Sequence, residues 1–86
     1  MPELTITILD PDTSLAARAA RRLRTFLKRE GVSACVRETT CYLEISRQGL
    51  KGKTPVIAVN GRNYRCKNLE DALLARFAGW LAGMPE

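Results

Sequence analysis

The segment Thr54-Pro55-Val56-Ile57-Ala58-Val59-Asn60-Gly61 limits the fold more than any other part of the chain. Its apolar run reads as a strand buried on both faces, rich in β-branched residues. Asn-Gly is the strongest short signal for a two-residue hairpin, because both turn positions need positive φ. Arg62-Asn63-Tyr64-Arg65-Cys66 is therefore expected to return beside it as a short antiparallel strand.

The rest of the chain must supply partners for that hairpin. Leu4-Thr5-Ile6-Thr7-Ile8-Leu9 alternates as a strand does and is broken by Asp10-Pro11-Asp12. From Ser14 to Arg29 the residues Leu15, Ala19, Leu23, Phe26 and Leu27 recur at helical spacing, with Thr13 or Ser14 as N-cap and Gly31 as terminator. Residues 32–37 return to extended character. Thr39 or Thr40 then caps a short helix through Tyr42, Leu43 and Ile45 that ends near Gly49. Asn68 opens the last helix, with Asp71 at capping-box spacing and Leu69, Leu73, Phe77, Trp80 and Leu81 as its apolar stripe. The order is βαβαββα. A strand–helix–strand start implies a parallel pair, and the hairpin adds antiparallel strands, so an α/β fold with a four-stranded mixed sheet flanked by helices is expected. Eighty-six residues without a linker or repeat make one domain over 1–86.

Composition excludes several classes of function. With 45% apolar and 27% charged residues the chain is that of a folded globule, not a disordered one. There is no histidine, which removes the usual general base near neutral pH and the Ser/His/Asp and Cys/His arrangements of hydrolases. Three cysteines cannot all pair within one chain, which argues against a disulfide-stapled secreted domain, and without histidine they do not complete a metal site. No cofactor or metal is expected. Met1-Pro2-Glu3-Leu4 carries neither the basic segment nor the apolar run of an export signal, and no apolar run is long enough to span a membrane, so a cytoplasmic location is expected.

The element order, together with Thr54-Pro55-Val56-Ile57-Ala58-Val59-Asn60-Gly61, resembles the thioredoxin-like superfamily over essentially the whole chain, particularly its small glutaredoxin-like branch. The resemblance implies a cis peptide bond at Thr54-Pro55, beside a site that binds an extended peptide or glutathione through the backbone of the residue before the proline. It also implies a Cys-x-x-Cys pair where the first strand meets the first helix. Here Thr13-Ser14-Leu15-Ala16 stands at that place, so neither an attacking nor a resolving thiol is present. The binding residues carried over are Thr13, Ser14, Thr54 and Pro55.

Each cysteine has its own expectation. Cys35 lies between Ala34 and Val36 and is expected to pack in the core. Cys41 follows Thr39-Thr40 at a helix start, where a thiol would face unpaired backbone N–H groups. By the glutaredoxin-like comparison Cys66 lies near the loop that helps hold glutathione, and Arg65 and Lys67 on either side would lower its pKa. Cys66 is the first candidate for a reactive thiol and Cys41 the second.

The net charge of +5 is concentrated in the first helix: residues 14–30 hold Arg18, Arg21, Arg22, Arg24, Lys28 and Arg29 against Glu30, and the remaining charges balance. These cations are expected to form an outward basic surface, solvated and without interleaved aromatics for stacking on bases. Three functions follow in order: a redox-inactive binding module for a peptide, a protein or glutathione; a single-cysteine oxidoreductase; and a basic nucleic-acid-associated protein. The pattern selects neither monomer nor dimer.

Overall fold

The β1 strand (Leu4–Leu9) is one of the two inner strands of the sheet, with a neighbour on each side. The computed structural model describes residues 3–83. Around β1 the chain forms α1 (Thr13–Arg29), β2 (Ala34–Thr39), α2 (Tyr42–Arg47), β3 (Val56–Val59), β4 (Arg62–Arg65) and α3 (Asp71–Ala82), a mixed α/β fold with a four-stranded sheet and three helices. The sheet order is β2-β1-β3-β4, with β1 parallel to β2 and antiparallel to β3, and β3 antiparallel to β4.

Alternation along β1 divides the core in two. Ile6 and Ile8, with Val36, Ile57 and Val59 from the neighbouring strands, pack against Ala16, Ala19, Ala20, Leu23 and Leu27 of α1 and Leu74, Ala78 and Leu81 of α3. Leu9, Val56 and Ala58 point the other way and meet Ile45 of α2 and Leu50. Every residue of β3 is buried, as its apolar run requires. Each large side chain removed from water contributes roughly 1.5–3 kcal/mol before conformational entropy is charged against it.

Local chemistry accounts for the element ends, and three differ from expectation. Helix α1 is capped by Asp12 and not by Thr13 or Ser14: the Asp12 carboxylate accepts the Leu15 N–H at 3.0 Å. Its far end closes as the sequence indicates, with Gly31 at φ +73 and the Val32 N–H reaching the Leu27 carbonyl at 2.9 Å. Strand β2 runs to Thr39, so α2 starts later, with Cys41 at its N-cap and no side-chain cap. Helix α3 starts at Asp71 and not at Asn68, because the Asp71 carboxylate is drawn to Arg22 of α1 (3.2 and 3.0 Å) instead of back to Asn68. Asn68 caps a turn, accepting the Glu70 N–H at 3.0 Å.

The hairpin has Asn60 at φ 50 and Gly61 at φ 88, the pairing of positive dihedrals that a type I′ turn needs. Asn60 also fastens the hairpin to β1: its side-chain oxygen accepts the Thr5 N–H at 2.9 Å, and its own N–H donates to the Thr5 carbonyl at 2.8 Å. A Cβ added at Gly61 would meet nothing within 4 Å, so the penalty for Gly61→Ala is conformational alone. It should destabilise the fold by about 1 kcal/mol in urea denaturation, with an unchanged denaturant slope.

Candidate functional site

The carboxyl ends of β1 and β2, the start of β3 and the end of β4 all fall on one end of the sheet. Leu9 lies opposite Val56, which sets Asp10 beside Pro55, and the Asp10 N–H donates to the Thr39 carbonyl at 3.1 Å. Across the other side of Pro55, its carbonyl accepts the Cys66 N–H at 3.0 Å. The expected site residues therefore share one end of the molecule: Thr13 and Ser14 at the exposed start of α1, Thr54 and Pro55 half-buried ahead of β3, and Cys66 half-buried after β4. The Thr54–Pro55 bond is cis, as the resemblance implied.

The turn that presents α1 is built by two carboxylates. Asp10 is buried, and its side-chain oxygen accepts the Asp12 N–H at 2.8 Å, while Asp12 caps the helix. In the sequence this pair reads only as turn formers; the signal for the buried member is the Asp-Pro-Asp spacing, whose first side chain reaches the backbone two residues on. Ala16 is fully buried in the main core, whereas Thr13 is exposed. At Thr54 neither backbone polar group is hydrogen-bonded to another described residue, although the neighbouring Lys53 N–H reaches the Leu50 carbonyl at 2.9 Å.

Two of the cysteines depart from expectation, and Cys41 stands at a helix start as expected. Cys35 lies half-buried on the sheet face away from α1 and belongs to neither core cluster, because the register puts it beside Thr5 and not beside Ile6. Cys41 is exposed at the N-cap of α2, beside the exposed Tyr42 and Leu43, which sequence reasoning had assigned to that helix without a surface role. Cys66 packs against the main core, and its thiol donates to the Tyr64 carbonyl at 3.6 Å. Burial pushes the Cys66 thiol up, against the lowering expected from Arg65 and Lys67; both cations are exposed, and water screens them.

The basic surface of α1 is also smaller than expected. Arg22 makes a two-pronged contact with Asp71, and Arg18 reaches the same carboxylate at 3.5 Å. Arg24 donates to the Val36 carbonyl at 2.8 Å, and Arg22 and Arg29 lie over the Phe26 ring at 5.1 and 5.8 Å. Among the described residues, no three acidic or cysteine side chains gather as a metal ion would need, and no helix is long and apolar enough to cross a membrane. Met1 and Pro2, on which the expectation about an export signal partly rests, lie outside the described residues.

A thiol held neutral by burial reacts slowly. Iodoacetamide labelling followed by mass spectrometry at pH 8 should modify Cys41 first and Cys66 at least tenfold more slowly, with Cys66 catching up only at more alkaline pH. Its raised pKa also fixes the sign of the linkage: the contribution of Cys66 to stability is full below the ordinary thiol pKa and is lost as pH rises through the folded value. No family model matches the chain, and neither does any curated protein or solved structure.

Proposed function

We propose that this chain is a thioredoxin-like domain of the glutaredoxin-like kind that has lost dithiol chemistry and serves as a binding module. It would hold an extended peptide, a protein segment or glutathione at the Thr54–Pro55 loop. The observation that carries this reading is the Thr54 backbone, half-buried and without a partner among the described residues. An extended ligand satisfies such groups by pairing with them as a strand would. Thr13 and Ser14 lie exposed at the same end, at the start of a helix whose first N–H groups favour a carboxylate.

Dithiol exchange requires a thiolate to attack and a second thiol to release the product. The Thr13 hydroxyl and the buried Ala16 methyl supply neither. The single-cysteine reading has one observation in its favour, the position of Cys66 across from Pro55, and burial of that thiol weighs against it. The nucleic-acid reading is weakened because Arg18, Arg22 and Arg24 are engaged within the fold. Three free thiols suit a reducing compartment, and we place the protein in the cytoplasm, working without cofactor or metal.

Turnover of a model disulfide with glutathione tests the reading. The expected rate is that of free cysteine, unchanged by Cys66→Ser or Cys41→Ser. A rate well above it that either substitution abolishes would favour the single-cysteine oxidoreductase instead.

A further inference from the structure

β4 ends the sheet, and its sequence is unusual for the charge it carries. From Asn60 to Leu69 the chain has Arg62, Arg65 and Lys67 and no acid. Among the described residues no backbone group pairs with the outer edge. Cys66 donates its N–H to Pro55, and antiparallel pairing alternates by residue, so Arg62, Tyr64 and Cys66 turn their backbone bonds toward β3 while Asn63 and Arg65 turn theirs outward. No side chain among the described residues bonds to these outward groups, whereas β2, the other edge strand, has Arg24 laid across it onto the Val36 carbonyl.

Beside this edge is an apolar groove of about 290 Å³ between β4 and α3. Tyr64, Cys66, Leu73, Phe77 and Trp80 line it together with Arg65 and Lys67. Tyr64 meets Trp80 edge-on with ring centroids 5.2 Å apart, and Trp80 remains 45% exposed. Tyr64 is on the α3 face of the sheet, as is Ile57 opposite it. A strand added to β4 would set every second side chain on that same face, over the aromatic groove.

We propose that the β4 edge is a docking site for an extended acidic peptide segment, which adds as a fifth strand and places alternate apolar side chains on Tyr64, Phe77 and Trp80. Charge selects this occupant. A second copy of the chain would bring Arg62 and Arg65 of two edges together, and like charges directly across a strand pair repel. The acidic positions of such a strand fall on the side of Arg65 and Lys67, and its apolar positions remove Trp80 from water. A nucleic acid offers phosphate oxygens to N–H groups but not the alternating donors and acceptors that a strand edge pairs with. The proposal does not depend on the Thr54–Pro55 reading.

Trp80 is the one tryptophan in the chain, so its fluorescence reports the groove. The probe is a hexapeptide alternating glutamate with leucine, titrated into the full chain. A saturable change in Trp80 emission is expected. It should weaken at least tenfold with Arg65→Glu and Lys67→Glu combined, and vanish when the peptide is N-methylated along its pairing edge, a change that leaves the protein itself untouched. A peptide with lysine in place of glutamate should give no response. Three results would overturn the proposal: no emission change with the acidic peptide, equal binding of the lysine peptide, or undiminished binding of the N-methylated peptide. So would a single-stranded oligonucleotide that displaces the acidic peptide, or sedimentation showing a dimer that Arg65→Glu alters. Disulfide turnover is read separately, so either reading can fail while the other stands.

Discussion

The antiparallel register of β1 with β3 is the constraint on which the rest of the molecule depends. It pairs Ile6 with Val59 and Leu9 with Val56. Side chains alternate with a period of two, so a slip of one residue would turn Ile57 and Val59 away from α1 and α3 and expose the main core. The same pairing sets Asp10 beside Pro55 and so brings the start of α1 next to the Thr54 backbone. Core and candidate site are therefore one geometric problem: nothing that keeps the core can move the site. Asn60 reinforces the register from the opposite end through its two bonds to Thr5.

Electrostatics plays a smaller part here, that of orientation. The Arg22–Asp71 contact is two-pronged, but both side chains are more than a third exposed, so it adds at most about 1 kcal/mol. Its planar geometry nevertheless fixes where α3 begins against α1. With Asp71 held there, the residues between Cys66 and the helix become a turn capped by Asn68. The cations that gave α1 its basic character in the sequence are thus partly used inside the domain: one carboxylate and one strand carbonyl engage half of them.

Much of this was legible in the sequence where the signal was local and unopposed. The apolar run of β3, the Asn-Gly turn, the alternation of β1 and the Gly31 stop each depend on a few neighbouring residues, and each stands where expected. That Thr13, Ser14, Thr54, Pro55 and Cys66 fall at one end of the sheet follows from those elements. What was not legible depended on distant partners. Asp71 reads as a capping residue until Arg22, far away in sequence, competes for it. Cys66 reads as a thiol between two cations until the fold buries it against Tyr64, and Cys35 reads as a core residue until the register of β2 assigns its face. Asp12 took the cap from Thr13 and Ser14: its carboxylate reaches the Leu15 N–H, and Thr13 already lies in the helix.

The second, smaller core has a dynamic consequence. Helix α2 is six residues long, has no side-chain cap, and contributes only Ile45 to a five-residue cluster with Leu9, Leu50, Val56 and Ala58. The main core does not draw on that cluster, so α2 and the loop after it are held by a separate and smaller set of buried contacts. Leu9 and Val56 are also the last buried residues before Asp10 and Pro55. Sub-global opening of α2 would uncover the sheet on that side while β1, β3, α1 and α3 stay assembled. The Thr54–Pro55 loop leads directly into Val56, so it is joined to this smaller cluster as well as to the sheet.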